Sequence, residues 1–150
     1  MGRWEKIVAS GLYVGYSPYL SGTTGTLVGV LIYFFLSHFP RLIYSAVLVG
    51  GLLIGGYVSS RAEKIFQESD SHKIVIDEIT GYLITMLFFP WSPWYAFLGF
   101  ILFRLLDIWK PFPIRRLQKL EGGVGVMIDD IVAGIYAHLL LLFIKYLMTH

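Results

Sequence analysis

The residues Val124-Gly125-Val126-Met127-Ile128-Asp129-Asp130-Ile131-Val132-Ala133-Gly134-Ile135-Tyr136-Ala137-His138-Leu139-Leu140-Leu141-Leu142-Phe143-Ile144-Lys145-Tyr146-Leu147-Met148 read as one long apolar helix. At 1.5 Å per residue such a helix is about 37 Å long, enough to cross a hydrocarbon core of about 30 Å. Its acids, Asp129 and Asp130, stand side by side in the first third. A charge at the centre of a membrane segment costs about 2.5–3.5 kcal/mol, so an adjacent pair requires a physical reason.

The rest of the chain agrees with a membrane setting. Of its 150 residues 56% are hydrophobic, 17% aromatic and 15% charged. Ordinary soluble domains are about 45–50% apolar and about 25% charged, and a globule this small has too little interior to hide the excess. The length supports one domain, residues 1–150. Twelve basic and ten acidic residues leave a net charge of +2, too little for a nucleic-acid binder that works by charge. With no cysteine, disulfides, thiolate metal sites and cysteine nucleophiles are excluded.

Further uncharged runs cover Ile7–Pro40, Leu42–Ser60 and Ile79–Phe103. In the first, Gly11, Gly15 and Pro18 argue against a cleaved signal peptide. The Gly/Pro/Ser-rich stretch Tyr13–Gly25 is expected to be broken or re-entrant, followed by a helix from about Thr26 to Phe39. The second run predicts a clean span continuing as a charged helix through Arg61, Glu63 and Lys64. In the third, Pro90-Trp91-Ser92-Pro93-Trp94 cannot lie mid-helix and reads as a turn between two helices, its tryptophans suited to a membrane–water interface. The fold class is thus all-α: a polytopic integral membrane bundle of four or five transmembrane helices plus a re-entrant or broken N-terminal segment. Basic residues gather in Arg61–Lys73 and Arg104–Lys119, whereas the Pro90–Trp94 turn has no charge. The positive-inside rule makes both basic loops cytoplasmic and puts Arg41 on the outer side.

That topology brings three charged groups of the apolar segments to the cytoplasmic helix ends. Asp77-Glu78 opens one helix; Arg104, Asp107, Lys110, Arg115 and Arg116 close the next; Asp129-Asp130 opens the last. Ser21-Gly22-Thr23-Thr24-Gly25 joins them. Gly81 and Gly134 follow an acid by four residues and Ala133 follows Asp129 by four, so small residues share a helical face with the carboxylates and allow close helix approach. Carboxylates brought together in this way must take up protons or bind a cation, and an all-oxygen donor set favours Mg²⁺. The plainer reading of one acidic pair is a charge that complements the helix dipole. Two matched pairs plus Asp107 at one depth weigh against it. Arg116 and Lys119 read as a juxtamembrane basic patch. Lys110 differs, because it follows Asp107 and is held by Pro111 and Pro113. Gly122-Gly123-Val124-Gly125 is either a connector or a set of amides that cradles phosphate. His38, His72, His138 and His150 are scattered, and His138 reads as a packing polar group.

A carboxylate-held Mg²⁺ beside Lys, Arg and backbone amides suits phosphate chemistry, and at a membrane surface the substrate would be a lipid phosphate. The order and spacing of Ser17-Pro18, Ser21–Thr26, Val75-Ile76-Asp77-Glu78-Ile79-Thr80-Gly81, Phe103–Arg115 and Gly122–Gly134 resemble the phosphatidylglycerophosphatase A family of bacterial inner-membrane lipid phosphatases, with one departure at Ser21 from the family's Pro-Gly-Thr. The resemblance implies Mg²⁺-dependent hydrolysis of phosphatidylglycerophosphate to phosphatidylglycerol and inorganic phosphate by a multi-pass protein of the bacterial inner membrane, its active site facing the cytoplasm. Joined to the local reading, it makes Asp77, Glu78, Asp129 and Asp130 metal-ligand candidates and Asp107, Asp129 and Asp130 catalytic candidates. Asp107 serves as a fifth ligand or positions or deprotonates water. Arg104 and Lys110 are the phosphate-binding candidates, with Thr23, Thr24 and the amides around Gly123 as secondary donors. Direct water attack and an aspartyl-phosphate route both fit these residues. The rival reading is a small transporter or channel, which would distribute its acids along the membrane normal.

Overall fold

The computed structural model describes residues 3–9, 21–66, 75–117, 119 and 122–150. They form seven helices and no strand: α1 (Arg3–Ala9), α2 (Ser21–Leu36), α3 (Arg41–Phe66), α4 (Ile76–Thr85), α5 (Pro93–Trp109), α6 (Ile114–Leu117) and α7 (Gly122–Thr149). α7 takes in the whole quoted stretch, and α3 runs past Ser60 through Lys64, both as the sequence suggests. Within them, Arg41–Arg61 and Met127–Thr149 are long and apolar enough to cross a membrane, and Thr23–Leu36 is a shorter apolar helix. Apolar side chains face outward in quantity: Leu42 is 80% exposed and Leu53 72%. A soluble monomer rarely tolerates so much contiguous apolar surface.

The N-terminal reading needs one correction. α2 begins at Ser21, so the Gly/Thr stretch is its first turn and not a loop. The reason is tertiary: a Cβ on Gly25 would lie 2.8 Å from Val75 Cβ, so glycine here serves close packing of α2 on the entry to α4. Residues 10–20, which hold most of the expected broken passage, lie outside the described residues.

α4 is the central element and packs against α2, α3, α5 and α7. Its crossing with α7 is glycine on glycine: a Cβ on Gly134 would come 2.5 Å from the Gly81 carbonyl oxygen, and one on Gly81 would come 2.9 Å from the Asp130 carbonyl oxygen. The small residues after each acid therefore bring these two helices together. At ten residues α4 is about 15 Å long, and it stops at Thr85, ahead of the Pro90–Trp94 turn. Backbone carbonyls freed by such a stop need partners inside a bilayer, and other helices supply them. The Tyr44 hydroxyl donates to Leu83 O at 2.5 Å, the Tyr33 hydroxyl reaches Phe89 O and Pro90 O at 3.1 and 2.9 Å, and His138 Nδ1 donates to Thr85 O at 3.0 Å. His138 is thus a packing group, as its isolation suggested. α5 starts with Pro93 in its first turn, a position where the missing N–H costs nothing.

Candidate active site

The first turn of α4, the last turn of α5 and the second turn of α7 meet at one end of the bundle. The Gly81–Gly134 contact sets their spacing, since Asp77 and Asp130 each lie one helical turn before their glycine. Asp77, Asp107, Asp129 and Asp130 are buried, and Glu78 is partly buried. One oxygen each from Asp77, Asp129 and Asp130 lie within 4.8 Å of one another, and so do one each from Glu78, Asp107 and Asp130. Asp130 belongs to both groups. All five predicted acids are therefore brought together, and none is distributed along the bundle axis as an ion pathway would require.

The two predicted cations enter the same cluster and divide it. Lys110 ends α5 in a left-handed conformation, its N–H donating to Leu106 O at 2.8 Å. This turn swings its side chain to Asp129 Oδ2 at 2.7 Å, with Asp107 Oδ1 at 3.5 Å. Arg104 Nη1 pairs with Asp107 Oδ2. Burial works against the Lys110 ammonium, yet the hydrogen bond and charge of Asp129, backed by Asp107 and Asp130, hold its pKa above the ordinary lysine range. The side chain stays charged. Asp129 Oδ1 also accepts from the Asp130 amide at 3.0 Å.

The far side of the cluster has no such compensation. Asp77 Oδ1, Glu78 Oε2 and both Asp130 oxygens are buried without a hydrogen-bond partner among the described residues. Buried carboxylate oxygens left unpartnered are costly, and a hard divalent cation is the species such an oxygen-only cage accommodates. The donor set thus fits a divalent metal ion.

Of the secondary candidates, Thr23 and Thr24 lie in the first turn of α2, which packs on Val75 and so borders the start of α4. Gly123 lies in the first turn of α7, fewer than two turns before Asp129. The other basic residues point elsewhere. Arg115 Nη2 reaches Trp109 O at 3.4 Å, Arg116 lies over the Phe112 ring, and Lys119 is exposed. Ser59 is an addition that no sequence pattern signals. It adjoins Val58, which packs with Ile76 and Met127 beside the acidic pairs, and its buried Oγ has no partner among the described residues.

The phosphatidylglycerophosphatase A family model matches residues 7–145. The chain belongs to that family. It is 39% identical over 140 residues to phosphatidylglycerophosphatase A of Escherichia coli, an alignment covering 92% of this chain and 81% of the relative. It is 39% identical over 126 residues to the phosphatidylglycerophosphatase A of Haemophilus influenzae, covering 83% and 76%. A Bacteroides thetaiotaomicron relative, 35% identical over 144 residues with 90% and 89% covered, carries a provisional name as a phosphatidylinositol-3-phosphatase. No solved structure matches the chain. Family membership and the two apolar helices together make this a membrane protein of a lipid phosphatase family.

Proposed function

We propose that this protein hydrolyses phosphatidylglycerophosphate to phosphatidylglycerol and inorganic phosphate in a Mg²⁺-dependent reaction. The observation that carries the reading is the divided cluster: unpartnered carboxylates of Asp77, Glu78 and Asp130 on one side, Lys110 and Arg104 interleaved with Asp129 and Asp107 on the other. Asp77, Glu78, Asp129 and Asp130 would hold the ion, with Asp130 common to both carboxylate groups. Bound there, Mg²⁺ supplies Lewis-acid chemistry, neutralising charge on the phosphoryl oxygens and favouring ionisation of the attacking water. Lys110 and Arg104 hold the remaining phosphoryl oxygens, and a fixed cation that need not reorganise is effective at such a site. Thr23, Thr24 and the amides around Gly123 line the approach of the headgroup. Both oxygens of Asp107 are engaged by cations, which favours a role in positioning those cations and the water over one as a base.

The chain is read as crossing the bacterial inner membrane four or five times, the carboxylate end facing the cytoplasm. This rests on the basic residues Arg61 and Lys64 of α3 and those of Arg104–Lys119, which flank that end. The deciding experiment is phosphate release from phosphatidylglycerophosphate by detergent-purified protein, with Mg²⁺ and with chelator. Metal-dependent release is expected, and absence of release in both arms refutes the enzyme reading. Phosphatidylinositol-3-phosphate in the same assay tests headgroup choice, and faster turnover of it would reassign the substrate.

A further inference from the structure

At the end of the bundle opposite the carboxylates, the charge distribution is inverted. Residues 6–62, 79–106 and 131–150 contain no Asp or Glu, so nothing acidic in those stretches reaches that end. Arg41 and Lys145 do. Arg41 opens α3 with its guanidinium 5.2 Å from the Phe88 ring centroid, and Lys145, near the end of α7, has Nζ 5.3 Å from that of Phe89. Both line one hollow of about 460 Å³, together with Ser37, Tyr44 and Pro90. Among the described residues neither cation pairs with an acid.

Four features make this more than two basic side chains reaching for water. Each cation is folded back over an aromatic ring that borders the hollow. Phe88 holds its ring there in a left-handed conformation, φ 62°, which a bulky side chain adopts only at a cost that its surroundings must meet. α3, 26 residues long, also directs the positive end of its dipole at the same place. The depth is that of headgroups: Arg41 begins one candidate span, Lys145 lies four residues from the end of the other, Trp91 belongs to the adjoining connection and Trp94 to the first turn of α5.

We propose that this hollow binds the phosphodiester headgroup of an anionic phospholipid from the leaflet opposite the carboxylates, held between Arg41 and Lys145. The Tyr44 and Ser37 hydroxyls are committed as donors to Leu83 O and Phe34 O, so the two cations supply the binding. The inference rests on the membrane-spanning reading and is independent of the reaction at the other end. The test uses full-length protein in lipid-free detergent. Native mass spectrometry counts dioleoylphosphatidylglycerol, dioleoylphosphatidylcholine or inorganic phosphate bound, and a headgroup photoprobe on phosphatidylglycerol locates the contact. One phosphatidylglycerol is expected to crosslink to residues 37–44 and 86–90. Arg41→Gln or Lys145→Gln should weaken that site about fivefold each, as one basic side chain near a membrane surface contributes, while phosphate release persists. Arg41→Lys with Lys145→Arg should retain it, which separates loss of charge from misfolding. Equal retention of phosphatidylcholine, crosslinks confined to the carboxylate end, or full binding by the double Gln variant would overturn the proposal. Displacement of the lipid by millimolar inorganic phosphate would instead mark a free-anion site and overturn the lipid assignment.

Discussion

Replacing Gly134 with alanine adds one methyl group at the contact that sets the spacing of the carboxylates. That Cβ would stand 2.5 Å from the Gly81 carbonyl oxygen and 3.2 Å from Ile84 Cβ. Close carbon–oxygen contacts settle near 3.3 Å, so α7 and α4 must part by about 0.8 Å. Overpacking of this kind costs about 1–3 kcal/mol, offset by the roughly 0.5–1 kcal/mol that alanine gains over glycine within a helix. The net loss of stability is therefore about 0–2.5 kcal/mol. Activity should suffer more, because Asp130 rides one turn from the contact and a displacement near 1 Å at a reacting centre costs on the order of 100-fold. Gly50 and Gly56 of α3 provide the control, since a Cβ at either meets nothing within 4 Å. Gly50→Ala and Gly56→Ala should keep full activity and match or exceed the parent's thermal stability in detergent. Phosphate release and thermal unfolding measured on all three variants decide the matter. A Gly134→Ala enzyme as active as Gly50→Ala would refute the claim that the glycine contact sets the carboxylate spacing.

Asp130→Asn should lower kcat/KM at least about a thousandfold, or about 4 kcal/mol of transition-state stabilisation, because Asp130 joins both carboxylate groups; Lys119→Ala, exposed and outside the cluster, should change it less than twofold. Lys110→Met removes the ammonium that contacts Asp129 and faces Asp107 and should cost about 10²–10³ in kcat/KM, and parent-like kinetics would remove Lys110 from the site. The chain has no cysteine, so single introduced cysteines report topology directly. Phe39→Cys should react with an impermeant maleimide in spheroplasts and Lys119→Cys only after permeabilisation, and the opposite pattern would invert the proposed orientation.

How far the sequence could be read depended on whether a feature was local. The 3.6-residue geometry of a helix puts Asp77 with Gly81 and Asp130 with Gly134, so the α4–α7 contact was visible in the spacing alone. So was the Arg104–Asp107–Lys110 spacing on α5. The Lys110–Asp129 pair was not, because 19 residues separate the partners and a left-handed residue aims the lysine. α2 starts earlier than the sequence suggests, because Gly22 and Gly25 look like loop residues until Val75 is seen against Gly25. The early end of α4 was equally hidden. Hydropathy runs unbroken past Thr85, and the groups that make a stop tolerable, Tyr33, Tyr44 and His138, come from three other helices. Ser59 had no local signal at all.

Those borrowed caps bear on how the protein is built. In the proposed multi-pass arrangement α4 covers about half the hydrocarbon thickness and cannot complete a crossing by itself. Its freed carbonyls find donors on α3, which is synthesised before it, but also on His138 of α7, which emerges after it, while Tyr33 of α2 holds the connection that follows. A ribosome-bound chain truncated before residue 138 would hold its central helix with Thr85 O uncapped by that ring. Closure of the bundle around α4, and with it assembly of the carboxylate cluster from α4, α5 and α7, is therefore a late event that waits for the C-terminal helix.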